Sequence, residues 1–254
     1  MDKIEYDLLK NVQYRHWWWI GRKSIIQAVI EGHIDLSHKL LIADAGCGYG
    51  ANIHFLRQYG DVVGLELSTE ALDAINSKWG NSVRLFTWKS PQNLNQKFDL
   101  ILMADVLEHI PDDQEAVNWI YDHLREDGYA LLTVPAHQFF WSEMDEVVHH
   151  YRRYSRKNFQ KLFSQKKFRS IKFSFYNLFL FPVKVAFVLV TRTLRLILPS
   201  KKKRSYNDIP PWPVNILFKN ILYLESQLIQ GFSLPFGVSI IALFQKEKSN
   251  NAQI

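Results

Sequence analysis

Asp105-Val106-Leu107-Glu108-His109 directly follows the apolar run KFDLILMA. Two carboxylates at i and i+3, with an imidazole beside the second, converge on one point if the chain begins a helical turn there. A second pair of imidazoles, His149 and His150, lies in the aromatic and charged segment PAHQFFWSEMDEVVHHYRRY. Carboxylates together with imidazoles suit a divalent cation, so Asp105, Glu108, His109 and His150 are the candidate metal ligands. Without a metal, Glu108, His109 and His150 can move a proton to or from a bound group. The plainer reading is that Glu108 and His109 only cap and orient the next helix.

A second constellation lies earlier in the chain. Asp44-Ala45-Gly46-Cys47-Gly48-Tyr49-Gly50 ends an apolar run, with glycine at alternate positions. Such spacing lets the backbone turn tightly and approach a ligand closely. Glu66, about twenty residues on, ends the next apolar run, where an acid can accept hydrogen bonds from both ribose hydroxyls of a nucleotide. Each feature alone reads equally well as a tight turn or a solvated acid. Together, in a strand-turn-helix context, they point to a nucleotide-like cofactor. The G-x-G-x-G spacing differs from the G-x-G-x-x-G of dinucleotide sites, which leaves NAD as the alternative.

These residues need a scaffold that brings strand ends together. LLIADAG, DVVGLEL, SVRLFTW, KFDLILMAD, YALLTV, FRSIKFSF and GVSIIALFQK read as strands, several of them short apolar runs typical of buried parallel strands. Helical segments separate them, at about 51–59, at Thr69 to Trp79, from Asp112 and Asp113 to about Arg125, and at about 155–165. The alternation predicts an α/β fold, a doubly wound parallel sheet of seven strands. Residues 1–38 read as helical, with Tyr14, Trp17, Trp18 and Ile25 as a buried stripe. About sixty residues separate the last two strands, far more than an ordinary connection. The expected organisation is an N-terminal helical lid (1–38), a cofactor-binding core (39–175), an amphipathic helical insertion (176–235), and the last strand and tail (236–254).

ADAGCGYG, VVGLELS, KFDLILMADVLEHI and DGYALLTVP resemble the class I S-adenosylmethionine (SAM)-dependent methyltransferases over about residues 40–175 and the final strand. The resemblance implies a Rossmann-like sheet that binds SAM across Gly46, Gly48 and Gly50, with Glu66 on the ribose. It also implies that Asp44 orients the methionine end and that the backbone near Ala104 faces the cofactor. Lys89, in TWKSPQ, stands where the family often has an acid near the adenine amine, so adenine would rest on backbone groups or on Trp88. The motif after the fourth strand, with a His after the fifth, resembles the ubiquinone-pathway O-methyltransferases and the enzymes that methylate 2′-hydroxyls at small-RNA ends. Asp105 stands where those groups have a first Glu. RHWWWIGR, VPAH, the H-x-R-R-Y at His150 to Tyr154 and LPFGVSIIAL look like an uncharacterised bacterial methyltransferase group that accompanies envelope-glycan and lipid-carrier enzymes. Arg22, beside the aromatic run of the N-terminal segment, is expected to meet the methionine carboxylate by a charge-assisted bond.

The 254 residues include 47% hydrophobic and 22% charged residues, which describes a globular chain rather than a disordered one. The net charge of +6 favours an anionic partner. A single cysteine, Cys47, rules out an intrachain disulfide and fits a reducing compartment. MDKIEYDLLK carries charges and no long apolar run, so no signal peptide is expected. Within the insertion, PVKVAFVLVTRTLRLIL sets Lys184, Thr191, Arg192 and Arg195 on one helical face and leaves a broad apolar face. Charges this frequent make a poor membrane span. They suit a helix in the interface, basic side chains toward the headgroups, with Lys201 to Arg204 adding attraction to anionic lipid.

Two function classes follow. The first is SAM-dependent O-methylation of a hydroxyl on a membrane-associated acceptor, either a lipid, a lipid-linked glycan or a quinone-type molecule. Its setting would be cytoplasmic, peripheral on the inner face of the cell membrane. The second is a nucleic-acid methyltransferase of the RNA 2′-O type. The same apolar helices could instead join two copies in a homo-oligomer.

Overall fold

Leu40–Ala45 is apolar or out of solvent along almost its whole length and forms β1, a strand covered on both faces. Around it the computed structural model, which describes residues 10, 12–80, 83–87, 94–197 and 208–248, builds one sheet. Its other strands are β2 (Gly60–Glu66), β3 (Arg84–Thr87), β4 (Phe98–Ala104), β5 (Leu124–Pro135), β6 (Phe168–Tyr176) and β7 (Ser239–Lys246). The spatial order is β3-β2-β1-β4-β5-β7-β6. Seven strands in a Rossmann-like α/β arrangement agree with the sequence expectation. The expectation of an all-parallel sheet needs correction, because β7 runs antiparallel to both β5 and β6. The insertion leaves after Tyr176 and returns at Ser239, and these two residues pair with each other. Strands joined at the same end of a sheet must run in opposite directions.

Short polar caps start the helices that cover the sheet. Ser68 accepts from the Ala71 N–H at the start of α3 (Thr69–Trp79), and Asp112 from the Glu115 N–H at the start of α4 (Asp113–His123). Between β1 and β2, α2 (Ile53–Leu56) is a single turn. After β5 come α5 (Glu143–Val147) and α6 (Arg156–Phe163). One face of the sheet is filled by Trp119, Phe159, Phe163 and Phe244, among others.

The other face is filled by α1 (Trp17–His33), which buries Arg22, Ile25, Ile26, Val29 and Ile30 at helical spacing. Tyr14, expected in that buried stripe, is instead exposed, because the helix proper begins only at Trp17.

Two long helices form the insertion, α7 (Phe181–Ile197) and α8 (Trp212–Gly231). The expected basic run Lys201 to Arg204 lies outside the described residues, as do Trp88 and Lys89. Helix α8 lies on α1 so closely that a Cβ at Gly21 would come within 2.3 Å of Leu222 Cδ1. The Trp17 N–H donates to Asn215 Oδ1 at 2.8 Å, and the Trp17 ring meets Phe218 edge-on. Asn215 Nδ2 donates back to the Arg15 carbonyl.

Helix α7 lies over Phe140 and Val238 with Phe181, Val185 and Val188. Two of its basic residues, Lys184 and Arg192, meet protein groups, which differs from the outward orientation expected. Arg192 donates to the Phe139 carbonyl at 2.7 Å and covers the Phe139 ring, while burial among protein groups, then Arg153, lowers the Lys184 ammonium to about 8. The opposite stripe, Val183, Phe187, Val190 and Leu194, is exposed. A peptide carbonyl at the sheet's end and the carboxylate of Asp145 attract these cations more specifically than bulk water does, so the apolar stripe is left outside. No helix among the described residues is long and apolar enough to cross a membrane.

Candidate active site

β1 ends in the glycine-rich turn. Gly46 has φ 75°, and a Cβ there would strike Val106 Cγ2 at 2.5 Å, so the turn admits glycine alone at that position. Gly48 has φ 52°, and a Cβ there would meet no protein atom within 4 Å. The space beside Gly48 is therefore a cradle rather than a packed turn, and Gly50, also at positive φ, closes the loop against Trp79. Glu66, at the end of β2, accepts from the Gly48 N–H at 2.8 Å and from the Leu67 and Ser68 N–H groups. Its carboxylate thus ties the second strand end to the cradle.

The methionine end of a cofactor would find complementary groups. Asp44 is fully buried; Oδ1 accepts from Asn52 Nδ2 at 3.2 Å, and Oδ2 has no hydrogen-bond partner. Burial pushes its carboxyl up to about 7, against the pull of Asn52 and Arg22. Arg22 reaches in from α1. Its Nη1 lies 2.6 Å from Asp105 Oδ2 and 3.4 Å from the Ala104 carbonyl, its guanidinium covers the Trp19 ring, and its Nε is buried without a partner. An unsatisfied buried carboxylate oxygen and an unsatisfied buried guanidinium N–H fit the ammonium and the carboxylate of an amino-acid moiety. The residues present therefore fit SAM.

Beyond β4 the chain makes a single tight turn, Leu107–His109. That turn brings Glu108, His109 and His150 together, with candidate ligand atoms all within 4.8 Å of one another. Asp105, expected with them, does not join this group. Its backbone sits at φ 55°, and its two oxygens are taken by Arg22 and by the Thr133 hydroxyl at 2.8 Å. Its side chain is one methylene shorter than Glu and is spent on the strand end and on α1. His149, next to His150, faces solvent.

Glu108 is wholly buried, and among the described residues neither carboxylate oxygen has a hydrogen bond; His150 Nε2 lies 3.8 Å from Oε1. Burial, then the charge of Asp105, pushes its carboxyl well above the usual carboxylate range. An ionised carboxylate in such a place needs a cation beside it, and otherwise keeps its proton. Burial, then His150, lowers His109 to about 4, so its ring is neutral at pH 7. The two imidazoles meet edge-to-face at 4.6 Å between centroids. A buried carboxyl with two free oxygens, facing two imidazoles, is a donor set suited to a small divalent cation, and equally a relay for a single proton.

Two further residues belong to this network, Asp145, which the sequence did not single out, and Arg153, which lies in the H-x-R-R-Y motif without an expected role. Asp145 is fully buried and lies 2.9 Å from His150 Nδ1. Burial pushes its carboxyl upward, yet the His150 bond and the Arg153 guanidinium outweigh that and hold it well below the usual range. Only the acidic-rich turn SEMDEV hints at Asp145, and Glu143 and Glu146 were equal candidates by sequence.

Residues 38–172 match the family described as methyltransferase domain. Among curated proteins, a histidine protein methyltransferase 1 homolog from Dictyostelium discoideum is 29% identical over 134 residues, 48% of this chain. The chain spans 43% of that relative's length. Among solved structures, the N-methyltransferase NodS from Bradyrhizobium japonicum WM9, in complex with S-adenosyl-L-homocysteine, superposes with a TM-score of 0.59 over 96% of this chain and 97% of that one, at 10% identity. The StiE O-MT domain gives 0.55 over 88% and 73%, at 19% identity. The cyclase SpnF gives 0.57 over 89% and 81%, at 12% identity. At such identities these structures share the fold, and the diversity of their reactions leaves the chemistry to the site.

Proposed function

This chain belongs to the methyltransferase-domain family, and from that premise we propose that it transfers the methyl group of SAM to a hydroxyl on a membrane-associated acceptor. The observation that carries the reading is the convergence of Glu108, His109 and His150 just beyond the end of β4. When bound, SAM supplies a methyl group already activated on a sulfonium. The chain's own residues then have three tasks. Asp44, Arg22, Gly46, Gly48 and Gly50 hold and orient the cofactor, Glu66 fixes its ribose, and α1 covers it as a lid. An imidazole of the His109–His150 pair would take the acceptor's hydroxyl proton, which would ready that oxygen for the methyl group that bound SAM supplies. The apolar walls exclude water, which would otherwise solvate the nucleophile.

Glu108, His109 and His150 are also the residues that would hold a divalent cation. Such an ion would fix the acceptor oxygen and lower its pKa. Two features support this, the pair of unpartnered buried oxygens on Glu108 and the neutral state of His109.

The acceptor class rests on α7 and α8. Val190 and Leu194 are 56% and 50% exposed, and Trp212 and Phe232, at the two ends of α8, are 75% and 72% exposed. Exposed apolar side chains in such number on two neighbouring segments of the chain suit an interaction site. It adjoins the chemistry, because the inner face of α7 carries Lys184 to the neighbourhood of Asp145 and Arg153. A lipid acceptor leaves the bilayer at about 0.8 kcal/mol for each exposed CH2, so an enzyme that comes to the membrane avoids that cost.

The test is incubation of the protein with tritiated SAM and, separately, a total lipid extract, total RNA and total protein from cells. Label that enters the lipid fraction and survives mild alkali, as an ether does, is the expected result. Label confined to RNA would favour the 2′-O reading. Label confined to protein would place the chain with its Dictyostelium relative. Either outcome overturns the lipid acceptor.

A further inference from the structure

His150 has two ring nitrogens, and the reading above needs the one facing Glu108 to be free of its proton, either to accept a hydroxyl proton or to ligate a cation. We propose that Asp145, anchored by Arg153, is a positioning residue that fixes the tautomer of His150, so that Nδ1 carries the hydrogen and the Nε2 lone pair faces Glu108. This rests on the methyltransferase reading for its purpose, though not for its geometry.

The geometry is complete on every side of Asp145. Oδ1 accepts from Arg153 Nε at 2.7 Å and lies 2.9 Å from His150 Nδ1. Oδ2 accepts from the Ser142 N–H at 2.8 Å, from the Ser142 hydroxyl at 3.1 Å and from Arg153 Nη2 at 3.1 Å. An arginine beside a carboxylate never gives up its proton, and a peptide N–H cannot act as an acceptor. Each oxygen of Asp145 thus faces at least one obligate donor, Arg153 Nε at Oδ1 and the Ser142 N–H and Arg153 Nη2 at Oδ2, which holds the carboxylate as an acceptor. The remaining contact follows from that inventory, with His150 Nδ1 as the donor and Asp145 as the acceptor. In the neutral ring this leaves Nε2 as the lone-pair nitrogen, and Nε2 is the atom 3.8 Å from Glu108 Oε1.

The backbone holds the same arrangement. The His150 N–H donates to the Asp145 carbonyl at 2.8 Å, and the Tyr151 N–H donates to the Glu108 carbonyl at 2.8 Å. Asp145 and Glu108 thus grip the two sides of one imidazole, and His109, which has no such carboxylate on its ring, stands against its face. A carboxylate that holds the distal N–H of a functional imidazole sets both its orientation and its basicity.

The experiment is nitrogen–proton correlation NMR on histidine-labelled full-length protein at pH 8 with S-adenosylhomocysteine present, with the His150 signals identified by their loss in His150→Gln. The expected wild-type result is a protonated, pyrrole-type Nδ1 and an unprotonated, pyridine-type Nε2. In Asp145→Asn the amide oxygen stays with Ser142 and Arg153, and its NH2 turns to the ring. Most of the signal should then move to the Nε2–H form, the tautomer error known to disable imidazole bases. Ser142→Ala removes a hydroxyl contact to the same carboxylate and should leave the tautomer unchanged. With a total lipid extract as acceptor probe, Asp145→Asn should lower the transfer rate at saturating SAM about 10- to 100-fold. The KM for SAM should change less than about twofold, a difference of only about 0.4 kcal/mol.

An Nε2–H tautomer in the wild type overturns the proposal without any variant having to fold, as does a tautomer that Asp145→Asn leaves alone. If no methyl transfer to lipid is found while the tautomer shifts as stated, the acceptor reading fails and this assignment stands.

Discussion

Arg22 Nη1 and Asp105 Oδ2 lie 2.6 Å apart, with the arginine side chain only 3% exposed. The acid that the linear pattern offers to the Glu108 cluster is thus held by the N-terminal helix, and the first residue after β4 ties that helix to the sheet. Removal of one partner leaves a buried charge uncompensated, which commonly costs about 3–5 kcal/mol. Arg22→Met should therefore lower the melting temperature more than Arg22→Met combined with Asp105→Asn, and both should lose affinity for S-adenosylhomocysteine. Thermal denaturation and calorimetric titration read the two effects. Equal melting temperatures for single and double variants would show that the pair is not buried as described.

Asp44 gives the cofactor site a pH dependence. Its carboxyl is raised to about 7 by burial, so the ligand-free folded chain holds a proton there that the unfolded chain has lost. Folding stability from this group is fully retained at low pH and declines as pH rises from about 4 to about 7. A bound ammonium favours the ionised form, so binding at pH 6 should release close to one proton, and binding at pH 8.5 almost none. Calorimetry in two buffers of different ionisation heat measures that number directly. Asp44→Asn should abolish the difference, and a proton count that stays flat between the two pH values would remove Asp44 from contact with the cofactor.

The cradle makes a separate prediction. At Gly48 a side chain meets only open space and an unfavourable φ, so Gly48→Val should fold at a cost of about 1–2 kcal/mol. It should nevertheless bind S-adenosylhomocysteine at least about tenfold more weakly, a loss of about 1.4 kcal/mol. Glu66→Ala should weaken binding too, and should also loosen the loop, because the Gly48, Leu67 and Ser68 N–H groups lose their acceptor. Hydrogen exchange at Gly48 distinguishes the two variants.

Glu108 is placed for function at the expense of stability, since both of its oxygens are buried without a hydrogen bond. Glu108→Gln keeps the shape and removes the titrating proton. It should leave the melting temperature unchanged or raise it, and should lower methyl transfer about 100-fold or more if the carboxyl relays a proton or ligates a cation. Activity that survives this change, chelation, and both His109→Ala and His150→Ala would take the whole cluster out of the mechanism.

The outward stripe of α7 is tested by flotation with anionic and neutral liposomes. The intact protein should float with both and more strongly with the anionic ones, and Phe187→Asp with Leu194→Asp should stay at the bottom of the gradient. If the intact protein never floats and the same two changes alter its oligomer size, the face joins two copies of the chain instead.

The strands and the cofactor turn were legible in the sequence because burial on both faces leaves a local mark, seen in LLIADA and FDLILMA ended by glycine or acid. The boundaries of α3 were legible for the same local reason, with Ser68 before Thr69 and Gly80 after Trp79. Three features were not. The direction of β7 depends on where a long insertion returns the chain, which no window of residues contains. The partner of Asp105 depends on how close α1 comes to the end of β4. The choice of Asp145 over Glu143 and Glu146 depends on which of three neighbouring acids turns inward under Arg153. The amphipathicity of α7 was evident, but periodicity gives two faces and no sign, and Lys184 and Arg192 turned to protein groups.

The contact between Gly21 and Leu222 leaves no slack between α1 and α8. One residue after Gly21 is Arg22, whose guanidinium reaches Asp105 and the Ala104 carbonyl. A sideways movement of α8 therefore becomes a movement of the arginine, much as pressing one arm of a tongs moves the other. Exchange of the insertion for that of another protein would alter the Arg22–Asp105 contact together with the outer surface, because the two are borne by one pair of interlocked helices.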